Sequence, residues 1–153
     1  QTIVMEEVYI GIGSNLEPIK NIKKAKKELK KYFKCYFSKT YPYKSMGFKG
    51  PDFLNLVAKF STNLDLIEVQ KIFSKIETLL GRGENQHGLS NRVIDIDILL
   101  FGNKVLDEGR RSLPHKNLND CRFVLEPLVE LSPNENHPVH KKTFKEILDN
   151  IDQ

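Results

Sequence analysis

A chain of 153 residues suits one domain with one sizeable core, and we expect a single domain over residues 1–153. Hydrophobic residues make up 39% and charged residues 29%, which fits a soluble globular chain and excludes a disordered one. Lys and Arg number 24 against 20 Asp and Glu, a mild and mostly local excess, and no apolar run approaches the ~20 residues of a membrane-spanning helix.

Residues 3–12 read as a strand that ends at Gly11-Ile12-Gly13, and the N-terminal stretch has no signal-peptide pattern. A helix follows with Pro18 in its first turn and Ile19, Ile22, Ala25, Leu29 and Phe33 at helical spacing. The lysines crowded between Lys20 and Lys34 read as the solvated face of this helix, with a polyphosphate or nucleic-acid patch as the alternative. Residues 35–43 read as a strand and Ser45–Pro51 as a loop punctuated by Gly47, Gly50 and Pro51. Residues 53–61 read as a further strand. Asp65 with Glu68 forms a capping box for a second helix whose apolar stripe is Leu66, Val69, Ile72, Phe73, Ile76, Leu79 and Leu80.

Gly81 ends that helix, and a polar loop runs to Asn91. Residues 92–101 read as a strand closed by a Gly102-Asn103 turn. The tail holds short extended pieces, a helix at 122–131 and a last helix capped by Thr143 with Glu146. The first hundred residues thus give β-α-β-β-α-β, an α+β ferredoxin-like core with an antiparallel sheet covered on one face by two helices. Extra C-terminal strands and helices over the other face would make three layers, α/β/α. Two cysteines, Cys35 and Cys121, are too few for a disulfide scaffold, so we expect free thiols and a cytoplasmic protein.

The segment richest in chemistry is Arg92-Val-Ile-Asp-Ile-Asp-Ile-Leu-Leu-Phe101. Side chains alternate along a strand, so Asp95 and Asp97 share one face while Ile94, Ile96, Ile98 and Leu100 share the other. Two carboxylates so placed repel each other unless a cation lies between them, and hard oxygen ligands without nearby Cys or His favour Mg²⁺ or Mn²⁺ over Zn²⁺. The pair alone equally fits a solvent-facing position on a one-sided sheet. Arg82 in a Gly-Arg-Gly loop, Arg92, Arg110, Arg111 and His115 shift the balance, because cations beside a metal-binding acid pair suit a triphosphate. Gly11-Ile-Gly-Ser-Asn15 lacks the third glycine of a dinucleotide loop, and no Walker sequence is present. Its glycines fit close backbone approach or a tight turn. His137 and His140 read as loop residues, without ligands at zinc spacing.

Taken together, Tyr9-Ile-Gly-Ile-Gly-Ser-Asn-Leu16, Phe53-Leu-Asn55, Ile76-Glu77 with Gly81-Arg82, Arg92 to Gly102, Leu113-Pro-His115 and Arg122-Phe-Val-Leu-Glu-Pro-Leu128 resemble the 6-hydroxymethyl-7,8-dihydropterin pyrophosphokinase family of folate biosynthesis over nearly the whole chain. The resemblance implies a transferase that moves pyrophosphate from ATP, as co-substrate, to the hydroxymethyl-pterin. It implies Asp95 and Asp97 as ligands of two Mg²⁺ ions, with Arg82 and Arg92 as catalytic cations on the phosphates. ATP would be met by Glu77, Ile98, Arg110, Ser112, His115 and Arg122. The pterin would be met by Ser45, Met46 and Gly47, by the Asn55 amide, and by Phe53 and Phe123 stacked on either face of the ring. The small molecules are the expected partners, with no nucleic acid and no membrane. The chain departs from the family pattern at Glu84, at Leu89-Ser90-Asn91, at Ser112 and at Cys121. An RNA-binding module on the same plan is the rival, but Phe53-Leu-Asn-Leu-Val-Ala-Lys-Phe60 lacks its Gly-aromatic run. A non-catalytic ligand-binding domain would need neither the acid pair nor the arginines.

Overall fold

The computed structural model describes residues 4–45, 49–81, 93–108 and 112–151. In chain order they form β1 (Glu6–Ser14), α1 (Pro18–Leu29), β2 (Tyr36–Phe37), β3 (Tyr41–Tyr43), β4 (Phe53–Thr62), α2 (Leu66–Leu79), β5 (Asp95–Phe101), a 3-10 turn (Lys116–Asn119), α3 (Arg122–Leu131) and α4 (Phe144–Ile151). The fold is mixed α/β, one antiparallel sheet with four α-helices. The sheet order is β2-β4-β1-β5, with β3 also on β4.

β1 is the hinge of the packing. Val8, Ile10 and Ile12 point to one side and are buried with Ile22, Ala25 and Leu29 of α1 and Val69, Phe73 and Ile76 of α2. Tyr9 points to the other side and joins Val57, Leu99, Leu125, Leu128 and Phe144 in a second cluster. The period of two along the strand therefore sorts its apolar residues into two cores, one facing α1 and α2 and one facing α3 and α4. Both expected capping boxes form. Asp65 and Glu68 bond reciprocally at the start of α2, as do Thr143 and Glu146 at the start of α4. Gly102 turns the chain after β5 at φ +54°, donating its N–H to the Glu7 carbonyl at 2.8 Å.

Four details differ from the sequence expectation. Ile19 is 79% exposed and Leu79 is 65% exposed. At 3.6 residues per turn each lies roughly a quarter turn from the centre of its helix's buried stripe. Asn21 turns inward near Ile19, donating to the Leu16 carbonyl at 2.6 Å. The strand expected over 35–43 is two pieces. Phe37 pairs with Ala58 and Tyr41 with Asn55, so one extra residue stands on this side. Ser38 fills the break: its N–H donates to the Val57 carbonyl (2.8 Å) and its hydroxyl accepts from the Val57 N–H (3.0 Å).

β5 carries a second bulge. Ile10 pairs with Ile98 but Tyr9 pairs with Leu100, leaving Leu99 extra. Ile94, Ile96 and Phe101 consequently belong to the first core while Leu99 and Leu100 belong to the second, so Leu100 is not on the face of Ile94 and Ile96. Last, His137 lies in a loop as expected, and the difference is its burial, with its Nδ1 accepting from the Val139 and His140 N–H groups at 3.1 Å. The lysines of α1 at 23, 24 and 27 are exposed, as expected of a solvated face, and Lys26 and Lys30 lie over the Phe37 ring at 5.3 and 5.7 Å.

Burial, then the His140 ring stacked 4.2 Å away, hold His137 down to about 4. The unfolded chain therefore binds this proton at higher pH than the folded chain does, and stability falls as pH drops from about 6.5 toward 4. Urea midpoints at pH 7, 5.5 and 4.5 should decline more steeply for the wild type than for His137→Asn. Parallel declines would mean that other groups set the acid sensitivity.

Candidate active site

The register of β1 lays out the site. Gly13 pairs with Asn55 on one side and Asp95 on the other, and Gly11 pairs with Val57 and Asp97. Tyr41 pairs with Asn55 in turn. Directly paired residues share a face, so a row Tyr41–Asn55–Gly13–Asp95 crosses four strands on the side of the α3 and α4 core. Between amide and carboxylate the central strand has no side chain. A Cβ placed on Gly13 would stand 2.6 Å from Asn55 Oδ1 and 3.9 Å from the Phe53 ring, so the glycine admits the amide over the strand. At Gly11 the same Cβ would meet Leu99 only at ordinary contact distance, 3.6 Å.

The polar end of β1 holds the flanking segments, a role the sequence reasoning missed. The Ser14 hydroxyl donates to the Val93 carbonyl at 2.6 Å, at the entry to β5. The Asn15 amide donates to the Pro51 carbonyl at 3.1 Å, just before Phe53. Both side chains are buried. Burial of two polar side chains at the end of an apolar strand was the available signal, since such groups must find partners.

Phe53 opens β4 and pairs with Tyr43 of β3. Phe123, the second residue of α3, packs edge-on against Tyr43, ring centres 6.3 Å apart. The two phenylalanines expected to sandwich a ring thus share Tyr43 as a neighbour, and Tyr43 is a second residue the sequence reading did not single out. The Ser45 hydroxyl donates to the Gly50 carbonyl at 3.1 Å. Met46 and Gly47 lie outside the described residues, as do Arg82, Arg92 and Arg110.

On the α2 side of β5 a cavity of about 230 Å³ is lined by Gln70, Ser74, Glu77, Asp97, Ile98, Ser112 and His115, among others. Four residues expected to meet ATP, Glu77, Ile98, Ser112 and His115, therefore converge beside Asp97. Glu77 is fixed by accepting the Ile96 N–H at 2.9 Å. His115 is pinned twice, its N–H donating to the Leu99 carbonyl (2.9 Å) and its Nδ1 accepting from the Asn117 N–H (3.1 Å). Its neutral ring consequently carries the proton on Nε2. Burial and then Lys116 push its pKa below the ordinary value, opposed by the Asp95 charge. Arg122 is not among the residues lining this cavity. It starts α3 and lies 3.8 Å from Glu126.

No group of three or more His, Cys, Asp or Glu able to cage a metal occurs among the described residues. Two same-face carboxylates beside an open, polar-lined cavity fit Mg²⁺, which commonly takes one or two protein carboxylates and keeps water or phosphate oxygens for the rest. They do not fit a structural zinc site.

The acid pair of β5 thus stands between the cavity and the aromatic surface around Gly13. Residues 9–133 match the family of 7,8-dihydro-6-hydroxymethylpterin-pyrophosphokinase (HPPK). The 2-amino-4-hydroxy-6-hydroxymethyldihydropteridine pyrophosphokinase of Aquifex aeolicus is 37% identical over 145 residues, covering 93% of this chain and 90% of its own. The enzyme of the same name from Haemophilus influenzae is 32% identical over 133 residues, covering 84% and 82%. Among solved structures, Plasmodium falciparum HPPK-DHPS superposes with a TM-score of 0.77 over 98% of this chain at 14% identity, which speaks to the fold, and this chain spans 46% of that one. The chain belongs to the HPPK family.

Gly13→Ala should lower stability by only about 1 kcal/mol, the low end of overpacking costs, because the new methyl meets the tip of the Asn55 amide, which can rotate aside. Gly13→Ala with Asn55→Ala should recover most of that loss in thermal melts. An equal loss in single and double mutants would place the strain in the backbone instead.

Proposed function

We propose that this protein transfers pyrophosphate from ATP to 6-hydroxymethyl-7,8-dihydropterin, releasing AMP, as a folate-biosynthesis enzyme. Membership of the HPPK family and relatives of that name over most of the chain support the activity. The observation that carries the assignment of roles is the position of the acid pair. Asp97 lines the cavity shared by Glu77, Ser112 and His115, and Asp95 stands across Gly13 from Asn55. Nucleotide and pterin would then meet over β5.

In this reading the pterin ring lies between Phe53 and Phe123, and Asn55 bonds its polar edge. Ser45, Met46 and Gly47 close around it. The ring's hydroxymethyl oxygen attacks the β-phosphorus of ATP in line. A new O–P bond forms as the hydroxyl proton passes to solvent water, the bond from that phosphorus to the α–β bridging oxygen breaks, and AMP departs with the released electron pair. Two Mg²⁺ ions held by Asp95 and Asp97 supply charge neutralisation on the phosphate oxygens when bound. Arg82 and Arg92 bind the same oxygens, Arg110 and Arg122 contribute further cations, and His115 presents Nε2–H to a phosphate. Ile98 and Ser112 flank the nucleoside. Positioning supplies much of the remaining rate enhancement.

The ferredoxin-like βαββαβ arrangement in three layers, as a single domain over residues 1–153, belongs to the same proposal. It rests on the element order and the two cores. No helix among the described residues is long and apolar enough to cross a membrane, and a cytoplasmic site of action is proposed with the activity.

Incubation with ATP, Mg²⁺ and the reduced hydroxymethyl-pterin, with nucleotide products separated, tests the activity. AMP is expected, ADP would indicate an ordinary kinase, and no turnover would favour a binding module. Asp95→Ala and Asp97→Ala should each lower kcat on the order of 10²–10³-fold with the fold intact. Near-normal kcat in either folded mutant at ordinary Mg²⁺ would remove the metal assignment. Phe53→Ala should weaken pterin binding by roughly 1–3 kcal/mol, if stacking on a nucleobase is a guide, with ATP binding little changed. A destabilised Phe53→Ala protein whose folded fraction still binds pterin normally would make that ring part of the core alone.

A further inference from the structure

α3 is joined to β3 by a polar seam with matched spacings. Residues two apart on a strand and four apart on a helix advance by similar distances, about 6–7 Å. Tyr41 and Tyr43 share one face of β3, with rings 6.5 Å apart. Facing them on α3 stand Arg122, Glu126 and Glu130, four apart in turn. The Tyr41 hydroxyl donates to the Glu130 carboxylate, which also accepts the Lys39 N–H at 2.9 Å. The Tyr43 hydroxyl donates to the Arg122 carbonyl at 3.2 Å. Glu126 lies within 3.8 Å of Arg122 and close enough to Tyr43 to hold its phenol in the protonated form, together with the burial of that ring. Tyr43 is thus tied at its hydroxyl to the residue before Phe123 and at its ring to Phe123 itself.

We propose that Tyr43 is a positioning residue for the pterin: it sets the first turn of α3, and through it the angle of the Phe123 ring. This rests on the pyrophosphokinase reading, in which Phe123 stacks on the substrate. The first turn of α3 has no side-chain cap, since Cys121 makes none at its N-cap position. Tyr43 ties that turn from outside at a carbonyl, the Arg122 oxygen, rather than at the N–H groups a cap would serve. A ring that must lie flat on a heterocycle loses contact when it tilts, so a tie several ångströms away is read out in substrate affinity. Four of the residues expected to meet ATP, Glu77, Ile98, Ser112 and His115, line the cavity on the other side of β5. Among the described residues expected to meet ATP, Arg122 alone takes part in the seam, through its backbone carbonyl and Glu126.

The test compares pterin and ATP steady-state constants for the wild type, Tyr43→Phe, Tyr43→Ala, Phe123→Ala and the Tyr43→Ala/Phe123→Ala double mutant. Tyr43→Phe keeps the ring and removes the hydroxyl with its ties to the Arg122 carbonyl and Glu126. It should raise the pterin KM about three- to tenfold, leaving kcat and the ATP KM within about twofold. Tyr43→Ala should raise the pterin KM further. The double mutant should be no weaker than Phe123→Ala alone, because Tyr43 acts through that ring. Wild-type pterin KM in both Tyr43 variants, with Phe123→Ala impaired, would overturn the positioning role. Multiplicative effects in the double mutant would overturn it as well, by giving Tyr43 its own contact with substrate. Should Tyr43→Ala fail to fold, Tyr43→Phe decides. A protein that turns over pterin normally with Phe123→Ala would instead remove the stacking role on which the inference rests. A wild type without pterin turnover would remove the activity itself.

Discussion

One residue without a side chain sits where the structure needs it most. β1 lies between β4 and β5, and the antiparallel register sets Gly13 opposite both Asn55 and Asp95. Any larger residue would drive its Cβ into the Asn55 amide. The space above Gly13 is therefore taken by the Asn55 amide, with the Phe53 ring beside it. Shifting β1 by one residue would send Val8, Ile10 and Ile12 to the opposite core, so hydrophobic burial on the α1 and α2 side fixes the register that the site uses. Folding energy and site geometry are thus one constraint.

The two bulges adjust that constraint locally. The extra residue at Leu99 gives β5 consecutive residues, Leu99 and Leu100, in the α3 and α4 core, while Asp95 and Asp97 keep strict alternation ahead of it. The bulge anchors the far end of the strand in apolar packing and leaves the acid pair near its start, beside Ser14 and Val93. The Leu99 carbonyl also accepts the His115 N–H, so the same irregularity draws the His115 segment alongside β5. At Ser38 the other bulge separates β2 from β3, which lets Tyr41 and Tyr43 meet α3 while Phe37 turns toward Lys26 of α1.

Much of this was legible in the residues. Period-two and period-3.6 patterns located the strands and helices, Asp65/Glu68 and Thr143/Glu146 marked helix starts, and alternation put Asp95 with Asp97. The resemblance assembled the remaining roles, and the cavity brings Glu77, Ile98, Ser112 and His115 together. What could not be read were relations between strands. A bulge is a mismatch in length between two partners, and Leu99 looks like any other leucine until its pairing is known. Tyr43 was hidden for the same reason, because its importance lies in a helix some eighty residues later. Ile19 and Leu79 show the limit of periodicity: they sit at the margin of a stripe, where the sheet's extent and not the spacing decides burial.

The electrostatic layout follows from where β5 lies. Asp95 and Asp97 on a central strand would be surrounded by neighbours on both sides and would carry a large desolvation cost. Among the described strands β5 is at the edge of the sheet, and Asp97 lines the cavity that lies along it. Like charges held two residues apart on one face repel each other, and a cation between them relieves that repulsion. His115 is kept neutral by burial even though Asp95 pulls the other way. A neutral imidazole offers a polyphosphate a hydrogen bond without adding positive charge beside the acid pair. In the proposed reaction that leaves charge balance to the metal and the arginines. The nucleotide would then arrive with its own cations, and the chain would supply directional donors and a fixed frame for it.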